Sequence, residues 1–455
     1  MYKISLSLLL ASITYAQTVT FDEALNLTIK HNKDLKKQQL NINISELNIK
    51  NIDSLNYGKI QLNEEISRTN HSGYVFNSKL SSREATFDDF GSGEFNPANL
   101  NIEPKNLNYP EARNNFNTKV TYDIPLFTGF KLSNQKDILK LQQKASEVKY
   151  NLNKKQVSFE VLKAYNGAVV AKEFIKASKK AKEAIKYVVK SANAFHKEGL
   201  VTKIDVKQAK VYELNINTKL IEAQNKFDLS IAYLKFLTSS DNIKDVENLK
   251  NIYCEIPTNK TLYERALENR DELKIQKINK DASKKNINIS KSAYYPNVYS
   301  HLEYGFNDDK LTLDSDKDYY MAVIGLNYTL FDNTRNIQNQ KSKIAYQKAN
   351  LNYEKFKDAL KLQLEKASLE LKAKERILSE KNEAKNLAQE VFDQSTLMYK
   401  NQLIPMTNLL EQEANLRKND AELIVAKYEK SLALARLALV LGVDFSQTQL
   451  NKKGN

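Results

Sequence analysis

Residues 116–127 read FNTKVTYDIPLF, and residues 319–331 read YYMAVIGLNYTLF. In both, apolar and polar residues alternate, the period of a β-strand. In the first, Phe116, Thr118, Val120, Tyr122, Ile124 and Leu126 share one face, and Lys119, Thr121 and Asp123 the other. Each stretch ends in Leu-Phe (Leu126-Phe127, Leu330-Phe331) and leads into a very long helical run. Residues 131–197 contain no proline and a single glycine, Gly167; residues 334–400 contain neither. At ~1.5 Å per residue, about 65 residues make a helix of roughly 100 Å, far longer than the helices of compact domains. A short turn follows each run: Glu198-Gly199-Leu200-Val201-Thr202 in the first copy, Asn401-Gln402-Leu403-Ile404-Pro405 in the second. Return helices then span 204–237 and 406–441. The chain is an internal repeat of roughly 200 residues, too long for a solenoid unit.

The same reading extends outward. Residues 21–56 have helical spacing, with Asp22 as a cap and Tyr57-Gly58 as the break. Residues 59–68 alternate as a first strand, with Ile60, Leu62 and Ile66 on one face. Residues 297–306 do so as a third, with Val298, Ser300, Leu302, Tyr304 and Phe306 together. Residues 69–115, rich in Pro, Gly, Asn and Ser, read as a long loop, and 307–318 as a shorter one. The copies divide as 17–240 and 258–445, joined by a linker at 241–257 and followed by a tail at 446–455. The motif YERALEN at 263–269 echoes FDEALNL at 21–27.

The first long helix carries two apolar seams. Ile138, Leu141, Ala145, Val148, Leu152, Phe159, Leu162 and Val169 make one; Val157, Val161, Ala164, Ala168, Ala171 and Ile175 make the other. Leu360, Leu364, Ala367, Leu371 and Leu378 continue the pattern in the second copy. Two seams describe a helix packed between two neighbours, as in the wall of a tube; one wide face in a plain bundle is the other reading.

Residues 1–16 read as a secretory signal peptide, with Lys3, an apolar stretch 4–13, and Thr14-Tyr15-Ala16 before Gln17. Gln17 is not Cys, so no lipoprotein-type acylation is expected there. Beyond it no stretch approaches the ~20 apolar residues of a transmembrane helix, so any membrane span must be a β-barrel. Cys254 is the only cysteine, and His31, His71, His196 and His301 are scattered without ligand spacing, so no metal and no cofactor is expected. No GxSxG, P-loop or HExxH motif occurs, and no catalytic residue stands out. The formal net charge of +14 comes from lysines interspersed with Glu and Asp along helices, a solvated pattern rather than a nucleic-acid footprint.

Four amphipathic strands of about ten residues have the length of membrane strands, but even the smallest outer-membrane barrels have about eight. Open edges do not occur in lipid, so strands must be pooled between chains. Three chains give twelve. Tyr57, Tyr122, Tyr304, Tyr319, Tyr320 and Tyr328 are candidates for the bilayer interfaces. A soluble antiparallel sheet has the same alternation, and an exported structural or adhesive coiled-coil protein explains the helices but not the strands between them.

The chain resembles the TolC-type outer-membrane efflux proteins over about residues 18–445. The opening FDEALNLTIKHNKDL, the strand end YDIPLFTGF, the turn EGLVTKIDV and their degenerate second copies carry the resemblance. It implies a mainly α homotrimer: an α-helical coiled-coil tunnel across the periplasm joined to a twelve-stranded β-barrel in the outer membrane. It implies passive export, without catalysis, in a tripartite efflux or type I secretion system, with a periplasmic adaptor (membrane fusion) protein and an inner-membrane pump or secretion ATPase. By position, Gly199, Leu200, Val201 and Thr202 match the first adaptor-docking tip, and Leu403, Ile404 and Pro405 belong to the second, where Gln402 departs from the Gly-Leu pattern. Asp205 matches an acidic gate position and Tyr399 the gate tyrosine. Asn408 and Glu411 occupy further gate positions, Asn408 as a departure, and so is Ile404 where a basic residue can occur. Asp205 and Glu411, three of each in a trimer, would ring the constriction, favour cations and bind divalent ions; a helix cap at Asp205 and a solvated Glu411 are the plainer roles.

Overall fold

The computed structural model describes residues 17–252 and 261–445. The expected signal peptide, Cys254 and the tail 446–455 lie outside them. The elements in order are β1 (Gln17–Val19), α1 (Phe21–His31), α2 (Lys33–Leu55), β2 (Lys59–Thr69), α3 (Ser72–Ser81), α4 (Lys105–Asn108), β3 (Arg113–Thr128), α5 (Lys131–Lys197) and α6 (Lys203–Thr238). Then come β4 (Ile243–Val246), α7 (Leu262–Asn269), α8 (Asp271–Lys291), β5 (Asn297–Asp308), β6 (Asp318–Asn327), α9 (Thr334–Lys400) and α10 (Met406–Val440). Helices α5 and α9 are 67 residues each. The second hairpin follows the first at an offset of 203 residues at both helix starts, Lys131 to Thr334 and Lys203 to Met406. Among the described residues no helix is long and apolar enough to cross a membrane.

The chain divides into two compact units. One comprises residues 43–144 and 278–350 and contains an antiparallel sheet in the order β2-β3-β5-β6. Its register opposes Ile60 to Tyr122, Leu62 to Val120, Tyr122 to Leu302 and Tyr304 to Tyr320. Side chains alternate across a strand, so this register collects the apolar set on one face. That face is bare: Ile60, Leu62, Ile66, Tyr320, Ile324 and Leu326 are exposed. On the opposite face, Lys119 pairs with Glu303 at 3.3 Å and His301 with Asp123 at 2.6 Å. Tyr319 donates to Glu303 at 2.7 Å, so it belongs to the polar face and not with the expected interfacial tyrosines. Strand β6 ends at Asn327, which leaves Tyr328 and Leu330 beyond the strand that was expected to hold them.

The stretch expected as a long loop, 69–115, carries structure. Its Ser and Asn residues are partners of its own ion network. Helix α3 buries Val75 and Ser78; Ser78 donates to Asn115 at 2.9 Å and receives Arg113 Nε at 3.2 Å. Glu84 accepts from both Arg113 and Lys317, and Arg83 donates to the Asp316 and Asp318 carbonyls at 2.6 and 2.7 Å.

The other unit comprises, of the described residues, 17–42, 145–252, 261–277 and 351–445. Thr20, not Asp22, caps α1, in a capping box with Glu23, and Thr261 with Glu264 repeats it at α7. Each box satisfies two otherwise orphaned N–H groups, a contribution of about 1 kcal/mol. Asn32 splits the single helix expected at 21–56, its Oδ1 accepting from the Asp34 and Leu35 amides that open α2. The linker hides a strand, β4, parallel to β1. Val161, Leu162, Tyr165 and Ala168 of α5 pack with Leu234 of α6, Ala435 of α10 and Phe21 of α1. Asn166 holds the linker backbone from inside, donating to Lys250 O at 2.8 Å and accepting from Lys250 N at 2.9 Å. Three ion pairs join α9 to α10: Lys374–Glu429, Lys381–Glu422 and Arg436–Glu370.

Candidate functional site: the paired hairpin tips

The turn after α5 is a Schellman cap. The Leu200 amide donates to Phe195 O at 2.8 Å and the Gly199 amide to His196 O at 3.1 Å. Gly199 takes the left-handed position, φ +74°, with open space around it, as such caps require. The turn after α9 has the same bonds: Leu403 N to Met398 O at 2.9 Å and Gln402 N to Tyr399 O at 3.0 Å. Here Gln402 takes the left-handed position at φ +60°. The departure read in the sequence is therefore one of side chain and strain, not of backbone path. Leu200, Leu403 and Ile204 are exposed, while Val201 and Ile404 are half-buried.

Behind both turns lies one apolar cluster. Ala181, Ile185, Val188 and Ala192 of α5 meet Ala209 and Ile216 of α6, Tyr399 of α9, and Met406, Leu409 and Leu410 of α10. The two tips of one chain are thus a single packed object. Tyr399 is buried against Phe195, ring centroids 5.9 Å apart, and its hydroxyl has no partner among the described residues. Burial, then the negative charge of Asp205, push its phenol above the ordinary value.

Asp205 closes a capping box with Thr202: its carboxylate accepts from Thr202 N and Oγ1 at 2.8 Å each, and Thr202 Oγ1 accepts from Asp205 N at 3.3 Å. Thr202 is thus the cap itself and Asp205 its reciprocal partner. In the second copy Pro405 and Asn408 take these places without a side-chain cap. Asn408 and Glu411 are exposed. Two residues beyond Glu411, the Glu413 carboxylate is buried and meets Arg417 at 2.9 Å. Burial raises its pKa, opposed by Arg417. Sequence reading missed this pair; its signal is the acid at 413 that continues the apolar 406-409-410 seam.

In the sheet unit, Glu84, Asp308 and Asp309 converge, but Lys317 already bonds Glu84 and Asp308. These carboxylates are neutralised by protein cations, which argues against a metal there.

The chain matches the outer membrane efflux protein family over residues 24–239 and 262–443. It belongs to that family. No curated protein matches it in sequence. Solved structures share the fold. CusC aligns at 12% identity, TM-score 0.77, covering 93% of this chain and 92% of CusC. The CmeC outer membrane channel of Campylobacter jejuni aligns at 16% identity, TM-score 0.76, covering 93% of this chain and 86% of CmeC. The MtrE outer membrane channel of Neisseria gonorrhoeae, solved in its open state, aligns at 13% identity, TM-score 0.71, covering 93% and 89%. The efflux-protein fold, a helical tunnel portion with a barrel portion, is the fold of this chain.

Proposed function

We propose that three copies of this chain close a twelve-stranded barrel in the outer membrane and form a passive exit duct through the periplasm. The observation that supports this is the sheet. Its order leaves β2 and β6 as edges, one face is apolar and bare, and the other holds ion pairs. Unpaired edges are not tolerated in lipid. An apolar face suits lipid and a polar face suits a water-filled lumen. Pairing β6 of one copy with β2 of the next removes every edge at twelve strands.

The hairpin tips then reach the periplasmic end. Gly199, Leu200, Val201 and Thr202, with Leu403, Ile404 and Pro405, receive a periplasmic adaptor fed by an inner-membrane pump or secretion ATPase. Asp205, Tyr399, Asn408 and Glu411 line the closed end. The energy comes from the partners; the duct supplies a path.

Native mass spectrometry of detergent-extracted protein, with planar-bilayer conductance, tests the reading. A trimer that conducts after the tips are loosened supports it. A monomer stable without detergent, or a trimer that never conducts, sinks it.

A further inference from the structure

Helix α5 carries lysines down one side above its tip: Lys176, Lys179, Lys186, Lys190 and Lys197. Steps of three, four and seven residues keep them on one helical face. At about 100° per residue that face points away from the buried seam of Ala181, Ile185, Val188 and Ala192. All five are exposed. Lys186 meets only Glu183, one turn earlier, at 3.2 Å on the surface. The other four have no ion pair among the described residues. Like charges one turn apart repel, so apart from Lys197, which meets the negative end of the helix dipole in the last turn, the stripe does nothing for the helix alone.

The duplication supplies an internal control. Helix α9 has the same 67 residues as α5 and ends in the same cap. Its residues at the corresponding positions, 203 further on, are Ser379, Asn382, Gln389, Asp393 and Lys400. Only Lys400 is kept, and the hairpin forms there without the other four, so its geometry does not require them. The wider segments diverge likewise: residues 172–226 hold thirteen lysines against six carboxylates, and residues 375–429 seven Lys and Arg against ten. Equal geometry with unequal charge is a mark of recognition rather than architecture.

We propose that the lysine face of α5 receives an acidic helix of the periplasmic adaptor, one that presents Glu or Asp at three- and four-residue spacing. This rests on the reading that the tips dock on such a partner. The stripe ends two residues before Gly199 and rises about 30 Å along the helix, so a helix seated on the first tip continues alongside it. Exposed charges steer encounter and fix register more than they add affinity. Because α9 keeps only one of the five lysines, an acidic helix has one preferred seat of two similar ones, which orients the adaptor on the duct.

The test uses the trimer in lipid nanodiscs and a synthetic helical hairpin with Glu along its outer face, beside the same hairpin with Gln. Fluorescence anisotropy should show the Glu hairpin bound at least about tenfold tighter at low salt, with the preference fading at ~0.5 M salt. Replacing Lys176, Lys179, Lys186, Lys190 and Lys197 by Gln should remove the preference. Replacing the exposed Lys341, Lys343, Lys348, Lys355 and Lys361 of α9 by Gln, an equal loss of charge, should leave it. Equal binding of the two hairpins, or an equal effect of the two variants, overturns the proposal. So does loss of the trimer in the α5 variant, which would put the stripe between protomers. Changed ion selectivity with unchanged binding would put it in the duct. A wild-type trimer that conducts yet shows no preference sinks this inference alone and leaves the duct standing.

Discussion

Gln402→Gly should tighten the second tip, and Gly199→Ala should loosen the first. Both positions are left-handed, φ +60° and +74°, and both caps make the same pair of backbone bonds. A residue with a Cβ pays about 1–2 kcal/mol there. Replacing glycine recovers about 0.4–1 kcal/mol through the unfolded chain. The difference is about 0.5–1 kcal/mol, opposite in sign at the two tips. No other loss confuses it: the Gln402 side chain is exposed, and a Cβ at Gly199 meets nothing within 4 Å. Tips open locally, so hydrogen exchange is the suitable probe. The Leu403 amide should exchange about two- to fivefold more slowly in Gln402→Gly, and the Leu200 amide faster by a similar factor in Gly199→Ala. The amides of the 161–168 core should not change in either. Shifts of one sign at both tips, or no shift at either, would refute the claim that the copies share one cap and differ in strain.

Leu62→Arg should cost about 2–4 kcal/mol of folding into a bilayer, the range for arginine at the lipid midplane, whereas Gln61→Arg, one residue away on the polar face, should cost far less; refolding yields into vesicles compare them. Tyr399→Phe removes a buried hydroxyl that has no partner among the described residues, so protomer stability should hold while single-channel open probability rises; an unchanged channel would argue against its place at the gate. Asp205→Asn with Glu411→Gln should lower cation selectivity in the same recordings, and selectivity equal to wild type would leave Asp205 only its capping role. Burial raises the Glu84 pKa, but hydrogen bonds from Lys317 and Arg113 outweigh it and hold the carboxyl below its ordinary 4.5. A depressed folded-state value stabilises above the unfolded pKa and is lost as pH falls through the folded one. Protection of the α3 amides, relative to their intrinsic exchange, should therefore fall below about pH 4, and Glu84→Gln should flatten that dependence.

What could be read from sequence was whatever periodicity dictates. Alternation fixes which residues of β2, β3 and β5 share a face because the side-chain period admits no other arrangement, and an unbroken run without Pro or Gly has few options besides helix. What escaped was decided by single side chains meeting distant ones. Tyr319 sits on the polar face because Glu303 and Asn117 are there to receive its hydroxyl; alternation alone placed it correctly opposite Tyr320, but its being a tyrosine suggested lipid. Asn32 breaks a helix that its neighbours would continue, since its carboxamide competes for the next two free amides. Residues 69–115 looked shapeless because their order comes from Arg83, Glu84 and Arg113 reaching partners as far away as Asp318. At the tips the same limit applies in reverse. Gln402 departs from the Gly-Leu pattern in side chain only, because the cap is made by backbone groups that every residue carries. The duplicated backbone is common to both copies, whereas charge, strain and capping differ between the two tips.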